Sequence, residues 1–533
     1  MATHVVSIKP YPSTWPPDSG GQQRSYHMYA NLPAGYKTIV IEPASPSTPA
    51  NTELIHISWP KPWFSAAAEI IASLLNRGHA DNLAVLDILS SASAVYRRTL
   101  SQVITPASIV CVEHCYAYEP ILRLPRRALI YSAHNVEYDL KKIITPRSFL
   151  RPFLLKHVFV REKKLCEKAD HIITCTEVDK KRLSNLYSIP LEKITVVPNG
   201  SDTTATKPKT PTEREATRHR LHSKRPMILF LGSLFPPNIA AANFITNILA
   251  PALPQYTFVI AGSVGAHFTN THIHANHDLI LPTSGWPGYG FAPLDYWLNR
   301  IGHWTSAEFG LHISDPNITA VELTSASFIP SLLTLQTGDT TVKHILTPWP
   351  EQTVIPLSAK KPRWIRGTIF PSIPTTQTVR LGMATQRLRL KRKGIWEKID
   401  IGQVHNIHRW VAANVCVVGS LSEEEKELLL AASHLAINPV AAGSGSHLKM
   451  FEYMASGLPI LTTPIGARGI ADQEDDVVSI APLDQFASTL KTLMENETQR
   501  QNLSQAARAY VVRTHDWKNI SEAFARLLTS VVP

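Results

Sequence analysis

The chain has 533 residues, 44% hydrophobic and 18% charged, which is an ordinary balance for a globular protein and enough length for two or three domains. A net charge of +11 and a pI of about 9.3 suit either anionic partners (nucleotide phosphates, anionic lipid or nucleic acid) or a generic basic surface with no specific partner. No run reaches the roughly 18 apolar residues of a membrane-spanning helix, and the cysteines hold no CxxC pair, which argues against a disulfide framework.

The opening MATHVVSIKPYPS lacks a basic region followed by a long apolar one, so no secretory signal is expected. Cys111, Cys115, Cys166, Cys175 and Cys416 sit in apolar contexts and read as buried reduced thiols, as in a cytoplasmic protein. Short β-branched runs at 5–8, 38–41, 109–112, 129–132, 171–174 and 193–197 read as buried strands, with helical patterns at 64–75 and 153–168 between them. That alternation predicts a doubly wound parallel sheet. The Thr-, Pro- and Lys-rich stretch SDTTATKPKTPTEREATRHR reads as a helix-poor linker. A second α/β unit follows: a strand in MILFLGS, a helix at 238–249, and a strand in YTFVIAGS. It resumes at 415–437 with VCVVGS, a helix and HLAINP. Ser422 and Glu425 make a capping box at that helix. A strand in ILTT and C-terminal helices end the chain. Between the two halves, residues 270–398 show short alternating segments such as GLHISD, AVELTSA and VRLGMATQRLRL, the pattern of an inserted β domain. Seven of the eleven tryptophans fall between 265 and 411, so the insert differs in composition from its host. They either fill its core or stack on sugars. Arg387, Arg389, Lys391 and Lys393 share one strand face, which is either solvated or a contact for anionic lipid.

The most informative segment is PVAAGSGSHLKMFEYMASGLPILTT. A loop containing Gly443 and Gly445 leads into a helix that Gly457 and Pro459 end. The unpaired amides at a helix N-terminus behind such a loop favour an anion. Lys449 and Glu452 are three residues apart and share a face, so a cation at phosphates and a carboxylate on ribose hydroxyls would cradle a nucleotide diphosphate. Spacing alone equally allows an amphipathic helix with Leu448 and Phe451 in the core and Lys449 and Glu452 as a surface pair.

This segment resembles the donor-binding signature of the family-4 retaining glycosyltransferases: a Gly-rich loop, LK, Glu, then A/S-G-x-P and Thr. PPDSGGQQR is similar to the family's N-terminal glycine loop, and IYSAHNVEYD to its first-lobe segment with a His after a strand. EKADHIITCTEVDKKRL, ITVVPNGSD, ILFLGSLFPPNIAAANF and NVCVVGSLSEEEKELLLAASHLAINP resemble further family segments, collinear over roughly 1–265 and 412–470. The resemblance implies the GT-B fold: two Rossmann-like lobes, 1–205 for the acceptor and 206–268 with 410–533 for the donor. The second lobe is interrupted by a β-sandwich-like domain at 270–398.

It also implies roles. His134 would face the transferred sugar, with Asn135 and Glu137 as secondary contacts; by itself His134 reads equally as a satisfied core histidine. Gly20 and Gly21 would let backbone amides approach phosphates or acceptor. Gly232, Ser233, Gly443, Ser444, Gly445, Ser446, His447, Leu448, Lys449 and Glu452 would form the donor site, Glu452 on the ribose. Two positions depart from the family. Ser444 stands where the first carboxylate of its paired-Glu motif should lie, eight residues before Glu452, and Ser233 and Asn238 stand in place of its Arg/Lys pair. Lys449, His447 and Arg24 are left to neutralise phosphate. The HIHANH run at 272–277 has no Cys neighbour and reads as a loop, so neither a metal nor a cofactor is expected. The expected partners are a nucleotide-diphosphate sugar and a hydroxyl acceptor, with peripheral contact to an anionic membrane and no nucleic acid. Retaining, metal-free transfer is the leading expectation; a sugar-nucleotide epimerase and an inactive carbohydrate-binding relative are the alternatives.

Overall fold

The computed structural model describes residues 3–11, 13, 20–43, 54–59, 87, 90, 93–145, 147–221, 223–268, 286–297, 300–313, 317–327, 330–338, 340–347, 349–357, 363–370, 373–374, 380–399, 404–406, 409–419, 421–443, 445–470 and 477–531. The helix expected at 64–75 and the HIHANH run lie outside the described residues. The chain divides into two compact units, one of residues 1–76, 80–212 and 433–533, the other of 77–79 and 213–432.

The first unit begins with β1 (Thr3–Ile8), α1 (Gly20–Ala30), β2 (Tyr36–Pro43), β3 (Ile55–Trp59), α2 (Ala94–Val103), β4 (Ile109–Glu113), β5 (Ala128–Ala133), α3 (Glu137–Ile144), α4 (Arg151–Lys168), β6 (His171–Thr174), α5 (Glu177–Tyr187) and β7 (Ile194–Val196). The strands pair in parallel in the order β3-β2-β1-β4-β5-β6-β7. Their side chains alternate between two apolar cores, as a sheet covered on both faces requires. Val6, Ile8, Val110, Val112, Leu129 and Tyr131 enter one core. Val5, Ile109, Cys111 and Ile130 enter the other. α4 starts two residues before the expected 153 because Pro152, at the start of the helix, needs no hydrogen-bond donor there.

The stretch read as a helix-poor linker contains α6 (Pro211–Arg220), a correction to the composition argument. None of its residues is buried, so it gives no apolar periodicity to read. A proline in its first turn and a Glu215–Arg218 pair at 2.7 Å hold it instead. The second unit continues with β8 (Met227–Leu231), α7 (Pro236–Phe244) and β9 (Thr257–Ala261). It resumes with β21 (Arg409–Ala412), β22 (Val415–Val418) and α8 (Glu423–Ala432). The capping box is present: Glu425 N donates to Ser422 Oγ at 3.2 Å, and Ser422 N to Glu425 Oε2 at 2.8 Å. β9 pairs in parallel with β22, Phe258 opposite Val415, so the chain leaves and re-enters the host on neighbouring strands.

Between them lie β10 (Trp286–Trp297), β11 (Arg300–Ile313), β12 (Ile318–Ala326), β13 (Ser331–Thr337), β14 (Thr340–Leu346), β15 (Glu351–Pro356), β16 (Arg363–Phe370), β17 (Ile373–Pro374), β18 (Arg380–Arg392), β19 (Ile395–Ile399) and β20 (Val404–Asn406). Almost every pairing is antiparallel, and the strands form one hydrogen-bonded network around an aliphatic core. Alternation holds on β18, where Leu388 and Leu390 are buried. Arg389 donates to Glu322 at 2.7 and 2.6 Å and lies over Trp396, so part of the basic stripe is ion-paired.

The first unit is completed by β23 (Leu435–Asn438), α9 (Leu448–Ala455), β24 (Ile460–Thr462), β25 (Ser479–Ile480), α10 (Phe486–Glu495), α11 (Glu497–Thr514) and α12 (Trp517–Ser530). α12 returns to α1: Trp517, Ile520, Phe524 and Leu528 pack with Met28 and Tyr29, and Trp517 stacks on His27. This packing brings the far C-terminal segment into the same unit as β1.

Candidate active site

In the first sheet the chain runs from β1 out to β3 and then crosses to β4 on the other side of β1. The C-terminal ends of β1 and β4 therefore flank the switch point where such sheets bind ligands. Lys9 and Tyr11 follow β1, Glu113 ends β4, His114 follows it, His134 follows β5, and Gly20 and Gly21 open α1. His114 has φ +70°, an uncommon conformation for a non-glycine residue.

Two buried histidine–carboxylate pairs occupy this corner. Glu113 Oε2 lies 2.5 Å from His134 Nε2, and Tyr29 donates its hydroxyl to the other oxygen. Burial alone would raise the Glu113 carboxyl; the hydrogen bonds from His134 and Tyr29 outweigh it and hold it at about 2. Burial, together with the charge of neighbouring His114, lowers His134 to about 4. At neutral pH the consistent state is an ionised Glu113 accepting the Nε2 proton of a neutral His134, which leaves Nδ1 as the basic atom. A methyl group on Gly21 would lie 3.5 Å from that Nδ1, so the atom faces the glycine pair. In the second pair, His114 Nδ1 is 2.7 Å from Glu137 Oε1, and the His114 and His134 rings are 4.3 Å apart. Burial would raise Glu137 as well, but His114 brings it down to about 2. Glu137 is fixed by Glu162 of α4, which accepts the amides of Glu137 and Tyr138 at 2.8 and 3.0 Å and so caps α3. Burial and the charge of Glu137 push Glu162 up to about 7.

Arg24 is 1% exposed. Its Nη1 donates to Pro198 O at 3.0 Å and Asn199 Oδ1 at 2.9 Å, whereas Nε and Nη2 are buried and have no partner. Asn199 in turn donates to Ser446 Oγ at 2.9 Å. The 443–448 loop is thus tied to the same corner. Gly445, at φ +72°, donates its amide to Asp179, and a methyl group there would lie 2.8 Å from Asn135 Oδ1 and 2.9 Å from the His134 carbonyl. Gly443 has φ +142°, and its carbonyl accepts from Arg468 at 2.8 Å. A methyl group on Gly20 would meet Leu448 at 2.8 Å. A leucine therefore occupies the space beside Gly20, a packing reason for a glycine that the resemblance had explained by phosphate access.

His447 is the N-cap of α9, and its Nε2 is buried without a partner; burial and the charges of Lys449 and Arg468 lower it to about 3. Lys449, half-buried in the first turn, is lowered to about 7 by loss of water. Glu452 is half-buried one turn further on. Ser444 lies outside the described residues. Gly232 and Ser233 follow β8 in the other unit. There Asn238 Nδ2 donates to Ser233 O at 3.0 Å and to its Oγ at 3.1 Å, so Ser233 and Asn238 brace a turn. A cavity of about 400 Å³ between α3 and α5 is lined by Asp139, Asp179, Arg182, Gly443 and Arg468. Among the described residues no group of three His, Cys, Asp or Glu could hold a metal ion, and no helix is long and apolar enough to cross a membrane.

The structure thus gathers Gly20, Gly21, Arg24, His134, Asn135, Glu137, Gly443 and residues 445–449 within one unit. It adds Lys9, Tyr11, Glu113, His114, Asp179, Asn199 and Arg468, which the sequence reading passed over. The available signal was position: Glu113 and His114 stand at the end of a strand flanking the switch point.

The sequence model of Glycosyltransferase Family 4 matches residues 20–205, and a glycosyl transferase-like model matches 384–526. No curated protein sequence matches the chain. Among solved structures, sucrose-phosphate synthase from Thermosynechococcus elongatus is similar with TM-score 0.53 at 10% identity, over 99% of both chains. Anabaena HepE, solved with UDP and glucose, has TM-score 0.53 at 11% identity, also over 99% of both. WaaG, a glycosyltransferase involved in lipopolysaccharide biosynthesis, has TM-score 0.52 at 13% identity over 98% of this chain and 99% of its own. At such identities the structures speak to fold, and the two family models supply the class. The chain is a family-4-like glycosyltransferase of the GT-B fold.

Proposed function

We propose that the protein transfers a sugar from a nucleotide-diphosphate sugar to a hydroxyl-bearing acceptor, with retention and without a metal. The observation that carries this reading is the buried, unpartnered Nε and Nη2 edge of Arg24. That edge has the forked geometry that grips a phosphate, and leaving it dry and unpaired costs about 1–3 kcal/mol. Lys449 and the N-terminus of α9 add positive potential on the neighbouring loop, and the unpartnered Nε2 of neutral His447 offers a hydrogen bond, so the departing diphosphate has protein counter-charges in place of a metal. His134 Nδ1 would accept a hydrogen bond from the transferred sugar, and Glu452 would accept the ribose hydroxyls. The acceptor oxygen would bond the anomeric carbon on the face from which the diphosphate leaves, its proton passing to the departing phosphate oxygen. The polar cavity ending on Gly443 suits a hydroxyl-bearing acceptor. Because HepE was solved with UDP and glucose, UDP-sugars are the first donors to try.

Residues 1–205, 206–268 with 410–533, and 270–398 are taken as acceptor lobe, donor lobe and inserted domain. Five free, buried thiols favour the cytoplasm. Titrating UDP into Arg24→Met in EDTA tests the reading: affinity should fall at least about tenfold, the loss of one charge-assisted contact. Wild-type affinity in a variant with an unchanged unfolding midpoint would remove Arg24 from the phosphate site.

A further inference from the structure

The surface of α3 and α4 is unlike the rest of the first unit. Between residues 140 and 168 there are nine Lys or Arg and two carboxylates, of which Glu162 is buried. Seven of the eleven net positive charges of the chain therefore fall in this stretch. α4 buries Val158, Glu162, Leu165 and Cys166. Its opposite face exposes Phe153, Lys156, Val160 and Lys163, spaced as one helical stripe. Phe149, just before the helix, is 83% exposed and Phe153 63% exposed, and their rings pack 5.9 Å apart. Exposed Ile143, Lys142 and Arg147 extend the patch. Arg151 braces the connection by donating to the carbonyls of Thr145 and Lys142. Nearby carboxylates are already paired: Asp139 with Arg182, Glu119 with Arg161 and Lys164, and Glu167 with Lys163.

We propose that this face docks on an anionic lipid bilayer. Adjacent exposed aromatics ringed by cations match the two layers of a membrane surface: Phe149 and Phe153 enter the acyl boundary while Arg147, Lys142 and Lys156 reach lipid phosphates. A soluble acidic partner would use the cations but not two bare phenyl rings, and large exposed apolar side chains grouped together mark an interaction site. The basic strand β18 is the weaker candidate, since Arg389 is committed to Glu322.

The test is co-sedimentation of the full chain with vesicles of phosphatidylcholine alone and of phosphatidylcholine with phosphatidylglycerol. The wild type should bind only the anionic vesicles. Phe149→Ser/Phe153→Ser and Arg147→Glu/Lys156→Glu should each weaken binding at least about tenfold, as loss of apolar insertion or reversal of two charges requires. UDP affinity and the unfolding midpoint should stay at wild-type values, since all four side chains are exposed. No binding to anionic vesicles, binding at the wild-type level by either variant, or loss caused instead by Arg387→Glu/Lys391→Glu would overturn the proposal. So would self-association that the Phe variants abolish in a chain that binds no vesicles, which would make a second copy the occupant.

Discussion

Gly445→Ala probes how tightly the glycine loop is pressed against the His134 segment. At φ +72° an alanine carries about 1–2 kcal/mol of backbone strain. Its methyl would meet Asn135 Oδ1 at 2.8 Å and the His134 carbonyl at 2.9 Å. The amide could rotate away, but the carbonyl belongs to the backbone and cannot, so overpacking adds about 1–3 kcal/mol. The total of roughly 2–5 kcal/mol exceeds what holding the loop in place can absorb, and the loop should shift and release the Gly445 amide from Asp179. Gly338→Ala is the control: its φ of +53° gives similar strain, and nothing lies within 4 Å of the added methyl. Calorimetric titration of UDP should show at least about a tenfold loss for Gly445→Ala and none for Gly338→Ala, with thermal unfolding recorded for both. If both variants bind UDP like the wild type and unfold together, the close approach has no bearing on the nucleotide.

Three further outcomes follow from the charges. Lys449, at about 7 in the unliganded protein, should gain a proton when a diphosphate binds, so donor affinity falls as pH rises through 7 to 9. Buffer-dependent calorimetry should register that uptake, and Lys449→Arg should abolish both effects; an affinity flat across this range would exclude the lysine as a phosphate contact. Glu113→Gln should lower kcat about a hundredfold with UDP affinity nearly intact, because neutral His134 loses the carboxylate that fixes its Nε2 proton. Loss of a downfield His134 imino proton resonance in the variant would separate this from general damage, and an unchanged kcat would remove the pair from the chemistry. Glu452→Ala should weaken nucleotide binding at least about tenfold through loss of charge-assisted bonds to ribose. Wild-type affinity in the folded variant would return Glu452 to the helix surface.

Local pattern made much of this legible. The strands around the switch point were apolar runs between helices, and observed β1, β4, β5 and β6 differ from the expected spans by no more than two residues at either end. The Gly443–Glu452 segment could be read because left-handed glycines, a helix start and a Gly-x-Pro stop have fixed spacing. Arg24 was picked out by its motif, but its empty edge depends on Pro198 and Asn199, 174 and 175 residues away. The Glu113–His134 and His114–Glu137 pairs join neighbouring strand ends that only sheet order brings together. α6 was missed because a helix with no buried residue shows no apolar period, and the Arg389–Glu322 pair because strand alternation reveals a face but not its partner.

The central claim is metal-free transfer from a nucleotide sugar, and incubation of the full chain with UDP-, GDP- and ADP-sugars in excess EDTA tests it most directly. One donor should be consumed at a rate that EDTA leaves unchanged, its released nucleotide diphosphate matching the sugar lost, with anomeric configuration retained in the product. No turnover of any donor, or turnover that only added Mn²⁺ or Mg²⁺ restores, would contradict the account.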